Sequence, residues 1–109
     1  MTVLPLADLL ANPLVDPEAH LDWQQVARYE SELEQAPPVV VFETEEGLLL
    51  ADGYHRVAAA RKRGLATIKA EVRPGTRQDA LLYAAEAGAR QRGIPVESAL
   101  AAIKRHSRR

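Results

Sequence analysis

The sequence predicts a compact single domain of the α/β or α+β class, and three observations carry that reading. Its elements follow the order strand, helix, hairpin, helix, strand, helix, helix, with no internal repeat and no long linker. The run Val39-Val40-Val41-Phe42 is continuous in β-branched and aromatic residues, the composition of a strand covered on both faces. The 109 residues, 47% hydrophobic and 27% charged, are enough for one core without disulfide or metal staples. The domain is expected to span residues 1–109, with a core to about 95 and a C-terminal helix and basic tail over 96–109.

Each element has its own signal. Thr2 to Leu10 reads as a short strand broken at Pro5 and then a turn of helix, and the prolines in Asn12 to Pro17 mark a loop. From Asp22 to about Gln35, Trp23, Val26, Ala27 and Leu33 recur at helical spacing opposite an acidic face, until Pro37-Pro38 stops the helix. Glu45-Glu46-Gly47 turns the first buried strand into a second, Leu48 to Ala51. A short helix over Val57 to Arg63 follows, ended by three basic residues and Gly64. Thr67 to Val72 alternates as a strand, and Thr76-Arg77-Gln78-Asp79 resembles a capping box for a helix reaching about Gln91. After Arg92-Gly93-Ile94-Pro95, a last helix from about Val96 puts Ala99, Leu100 and Ile103 on one face. Core or half-buried packing is expected for Trp23, Tyr29 and Tyr83.

Composition removes several classes of function. Without cysteine there is no disulfide framework, thiolate metal site or cysteine nucleophile. No apolar run approaches the ~20 residues of a membrane helix, and no basic-then-apolar leader opens the chain, so a cytoplasmic protein with no membrane partner is expected. The pair Glu18 and His20 is too sparse to make a metal site, and none is expected. Met1 to Gly53 holds one base, Arg28, against eleven acids, net −10, whereas Tyr54 to Arg109 holds thirteen bases against four acids, net +9. Such a basic half suits an anionic ligand, nucleotide or nucleic acid, unless the two halves pack together and neutralise each other.

The junction that can carry chemistry is Ala51-Asp52-Gly53-Tyr54-His55-Arg56-Val57. A strand there runs through a glycine straight into a helix, whose first N–H groups lack intrahelical acceptors and whose dipole presents positive charge. That arrangement can hold an anion. Gly53 permits close backbone approach, Arg56 offers a forked guanidinium, and His55 offers one further hydrogen bond. The other reading is a surface helix cap, with Arg56 in a salt bridge and His55 partly buried. Asp52 either caps the helix, accepts a hydroxyl proton or binds Mg²⁺, and capping is preferred.

The run from Pro38 through Leu50-Ala51-Asp52-Gly53-Tyr54-His55-Arg56-Val57-Ala58-Ala59-Ala60-Arg61-Lys62-Arg63-Gly64 to Ile68-Lys69-Ala70-Glu71-Val72 resembles the N-terminal domain of ParB-type partition proteins. The same pattern belongs to the wider ParB/sulfiredoxin fold, which includes ParB-like nucleases and a free-serine kinase. The resemblance implies a small mixed sheet packed with helices, and a nucleoside triphosphate, CTP or ATP, held at the turn by Gly53, Tyr54, His55 and Arg56. Where ParB proteins have Gly-Glu-Arg-Arg-x-Arg-Ala, His55 replaces the first arginine and Ala58 a later one. Sulfiredoxins carry a redox cysteine where Tyr54 stands, which excludes sulfinic-acid reduction. The kinase turn, Asp-Gly-His-His-Arg, is similar to Asp52 through Arg56.

A second ParB motif, Glu-Asn-x-x-Arg-x-x-x-x-Pro, is similar to Glu86 through Pro95, with Glu86, Arg90 and Pro95 matching and Ala87 in place of the asparagine. The resemblance implies Mg²⁺ entering with the nucleotide, Arg90 beside the phosphates, and Glu86, with Asp52, as catalytic candidates. On the residues alone, Glu86 is equally a solvated partner of Arg90 at i,i+4. The expected function is therefore a stand-alone ParB-like domain that binds CTP or ATP, with or without hydrolysis, in a DNA-related or regulatory role. Two others stay open: a phosphotransferase or nuclease of the same fold, and a non-catalytic DNA- or protein-binding module. DNA would be met by the basic C-terminal half, and a homodimer is compatible with all three.

Overall fold

A computed structural model describes residues 2–10 and 21–105. The loop expected over Asn12 to Pro17, the pair Glu18 and His20, and the tail beyond Arg105 lie outside the described residues. Strand β1 (Thr2–Pro5) leads into the short helix α1 (Leu6–Leu10). Helix α2 (Trp23–Glu32) tightens into a 3₁₀ turn at Leu33–Gln35 before the two prolines. Then follow β2 (Val39–Thr44), β3 (Gly47–Asp52), α3 (Tyr54–Lys62), β4 (Thr67–Pro74), α4 (Arg77–Arg92) and α5 (Val96–Arg105).

The four strands form one mixed sheet in the order β1-β4-β2-β3. β2 runs parallel to β4 and antiparallel to β3, and β1 pairs antiparallel with β4 at the opposite edge. Pro5 sits on that edge, where its missing N–H costs no ladder bond. The unbroken apolar run of β2 is explained by its central place: Val39 and Val41 face one layer, Val40 and Phe42 the other, and all four are buried. Leu50, Ile68, Ala70 and, from α3, Val57 and Ala60 complete the first layer. Leu49, Ala51 and, from α4, Ala80 complete the second. Helices α3 and α4 therefore cover opposite faces of the sheet. The second half of α4 packs through Ala85 and Ala89 on Ala99 of α5.

Local signals set the boundaries. The Thr76 hydroxyl accepts from the Asp79 N–H at 3.1 Å while the Asp79 carboxylate accepts from the Thr76 N–H at 2.9 Å, a reciprocal box. Two sequence expectations are corrected. The third helix begins at Tyr54 rather than near Val57, because Gly53 already serves as its N-cap. Trp23 is 53% exposed rather than packed, since Val26 and Leu33 are the α2-side residues that turn inward. Among the described residues no helix is long and apolar enough to cross a membrane.

Candidate functional site

The turn is built at the end of β3. A register shift between Val40 and Val41 kinks the β2–β3 pair, so that Asp52 lies opposite Val40 as the chain leaves the sheet. Gly53 then takes a left-handed conformation, φ 115° and ψ 25°. A Cβ there would fall 2.4 Å from Val39 Cγ1, so both the dihedral and the space demand glycine. The first intrahelical bond runs from the Val57 N–H to the Gly53 carbonyl at 2.9 Å. Among the described residues no side chain caps the helix. The main-chain N–H groups of His55 and Arg56 precede that first bond, and among the described residues neither has an acceptor. They lie at the positive end of the α3 dipole.

The side chains of the same residues face the protein. Arg56 is only 7% exposed. Its Nη1 donates to the Pro37 carbonyl at 2.7 Å and to the Pro38 carbonyl at 3.0 Å. Its Nη2 lies 3.5 Å from Asp52 Oδ2, and its guanidinium carbon 6.0 Å from the centre of the Tyr29 ring. The guanidinium thus ties the Pro37-Pro38 segment, which has no N–H groups of its own to offer, to the strand–helix turn. The ion pair is the one the helix-cap reading expects of Arg56, but one expectation is corrected: Asp52 is the ion partner of Arg56 and not the helix cap. His55 accepts at Nε2 from the Asp22 N–H at 3.0 Å, joining the start of α2 to the start of α3. Burial holds its imidazole below the ordinary value of 6.5, Arg56 pushes the same way, and Asp22 and Asp52 pull against them. The Tyr54 hydroxyl donates to the Leu50 carbonyl at 2.9 Å.

Glu86 and Arg90 lie on α4, the helix on the far side of the sheet from α3. Both are exposed, and among the described residues neither has a hydrogen bond or ion pair, to the turn or to each other. Ala87, in the place of the family's asparagine, is 4% exposed.

A feature the sequence did not reveal lies along the outer face of α3. Tyr54, Val57, Ala58 and Arg61 recur at helical spacing and, with α1 and the start of α2, enclose a groove of about 260 Å³. The buried Leu9, Leu50 and Val57 form its floor, and Trp23, Arg61 and Lys62 its rim. The Lys62 ammonium lies 5.6 Å from the centre of the Trp23 ring. The i, i+3, i+4, i+7 spacing was present in the sequence, but the partner elements were not.

The two oppositely charged halves of the chain meet in space. Glu34 pairs with Arg63 at 2.6 Å, Glu46 with Arg77 at 3.4 Å and Glu30 with Lys62 at 3.9 Å, besides Asp52 with Arg56. Four of the thirteen bases of the second half, Arg56, Lys62, Arg63 and Arg77, are thereby answered by acids of the first. The Arg63 contact holds the Glu34 carboxyl below its ordinary value, and both groups are solvent-exposed.

No family model matches the chain, and no curated protein matches it in sequence. Solved structures do. Sulfiredoxin from Arabidopsis thaliana superposes with a TM-score of 0.61 at 24% identity, over 72% of this chain and 92% of that one. The C-terminally truncated chromosome-partitioning protein ParB from Caulobacter crescentus, complexed with CTP-gamma-S, gives 0.59 at 18% identity, over 84% of this chain and 51% of that one. The same protein complexed to the centromeric parS site gives 0.55 at 12% identity, over 93% of this chain and 65% of that one. These superpositions show that this chain has the ParB/sulfiredoxin-like fold.

Proposed function

We propose that the chain binds a nucleoside triphosphate, CTP or ATP, with its phosphates on the turn from Gly53 to Arg56. The observation that carries this reading is the left-handed Gly53, which delivers the His55 and Arg56 N–H groups, both without acceptors among the described residues, at the positive end of α3. The fold supports it, since a solved ParB of this architecture is complexed with CTP-gamma-S. On this reading main-chain donors make the anion contacts. His55 and Arg56 position them, through Asp22 and through the Pro37-Pro38 carbonyls respectively. The arrangement leaves the backbone free to approach a phosphate closely while its side chains fix its shape.

The side chains favour binding without turnover. Among the described residues no three His, Asp or Glu groups converge as a metal cage, and Asp52 is engaged by Arg56. On this reading Mg²⁺ would come bound to the triphosphate. Calorimetric titration with CTP, ATP, ADP and GTP, with and without Mg²⁺, tests the reading. A saturable heat from a triphosphate, unchanged by Glu86→Gln, is expected. Silence from every nucleotide together with salt-sensitive retention on DNA would replace it with the nucleic-acid-binding module.

A further inference from the structure

We propose that the groove on the outer face of α3 is a second site, for a small amphipathic carboxylate: a monocarboxylate with an aromatic or branched aliphatic tail. Its volume, about 260 Å³, lies below the ~300–1,000 Å³ of drug-sized pockets and suits a compact ligand. The floor is apolar, with Leu9 at 1%, Leu50 at 2% and Val57 at 3% exposure, and Leu10, Leu21 and Ala58 continue it. Among the described residues no Ser, Thr, Asn or Gln lines the groove, and the Tyr54 hydroxyl is directed to the Leu50 carbonyl. A nucleobase edge would find few partners there, whereas a hydrocarbon tail loses nothing. Trp23, 53% exposed at the rim, offers a flat apolar surface that a tail would cover.

Charge fixes the class of head group. Three consecutive cations end α3, and two of them are answered: Lys62 by Glu30 and Arg63 by Glu34. Arg61, which borders the groove together with Lys62, has no ion pair or hydrogen bond among the described residues. Its planar fork matches a carboxylate in two-point geometry, and Lys62 beside it adds to the positive field. This site does not depend on nucleotide binding at the Gly53 turn.

Trp23 is the only tryptophan of the chain, so its fluorescence reports the groove directly. The intact protein is titrated with 3-phenylpropionate, and in parallel with 3-phenylpropionamide, which keeps the tail and lacks the charge. A saturable change with the carboxylate is expected, at least ~10-fold weaker with the amide and in Arg61→Ala. Arg61 is exposed, so its removal leaves the fold intact. Ala58→Phe, which fills the groove from the α3 side, should abolish the response. The proposal is overturned by an unsaturable response through the millimolar range, by equal binding of the amide, or by binding that persists in Arg61→Ala or Ala58→Phe.

Discussion

At the start of α3, His55 and Arg56 direct their side chains into the protein, whereas one to two turns further along the same helix Arg61 faces an apolar groove with no partner among the described residues. Both ends are polar in sequence, and only the first resembles a known motif. The difference teaches that a motif arginine can serve as an internal clamp while another cation of the same helix is left without a partner among the described residues. Burial turns Arg56 inward, where two proline carbonyls accept from Nη1 and a carboxylate lies 3.5 Å from Nη2 of a guanidinium only 7% exposed. What remains for a ligand at the first end is the backbone, and at the second end a side chain.

Substitutions along α3 should separate these roles. The largest effect is expected from Gly53→Ala, which combines a strained left-handed alanine with overlap against Val39; a loss of about 2–5 kcal/mol in urea unfolding is expected. Arg56→Ala should cost about 2–4 kcal/mol by stranding the Pro37 and Pro38 carbonyls and Asp52. Wild-type stability on loss of Arg56 would show that the inward clamp is unimportant and would return the guanidinium to a ligand-facing role. Arg61→Ala, at the exposed end, should stay within about 0.5 kcal/mol of wild type.

A pH series sharpens the same contrast. The folded His55 imidazole titrates below its ordinary value of 6.5, so the unfolded chain binds the extra proton first as pH falls. Its contribution is complete above that value and is lost as pH drops through it towards the lower folded value. Protonation at Nε2 would also set a second N–H against the Asp22 N–H that Nε2 now accepts. His55→Gln keeps an acceptor and removes the titration. Its unfolding free energy should therefore be flatter than that of wild type between neutral and mildly acidic pH. Parallel profiles would contradict the buried, neutral imidazole.

Much of the fold was legible because its signals are local. The Thr76–Asp79 box, the Pro37-Pro38 stop, the β2 apolar run and the Gly64 stop each lie within a few residues of the boundary they set. The glycine turn was legible for the same reason. Contacts that join distant segments were not. The Arg56 clamp spans 18 and 19 residues and the Asp22–His55 bond 33, and nothing in the composition of either partner announces the other. Trp23 read as a packed residue because helical spacing gives the angle of a side chain around its helix but not what that face meets. The charge asymmetry was visible, yet only the packing of α2 along α3 showed how much of it is answered internally.

The central claim is that main-chain donors after Gly53 grip a triphosphate, and amide chemical shifts of the isotope-labelled protein test it most directly. Addition of CTP or ATP with Mg²⁺ should move the His55 and Arg56 amide resonances furthest and saturably, with Glu86 and Arg90 moving less. Unmoved His55 and Arg56 amides, or larger saturable shifts confined to α4 and α5, would contradict it.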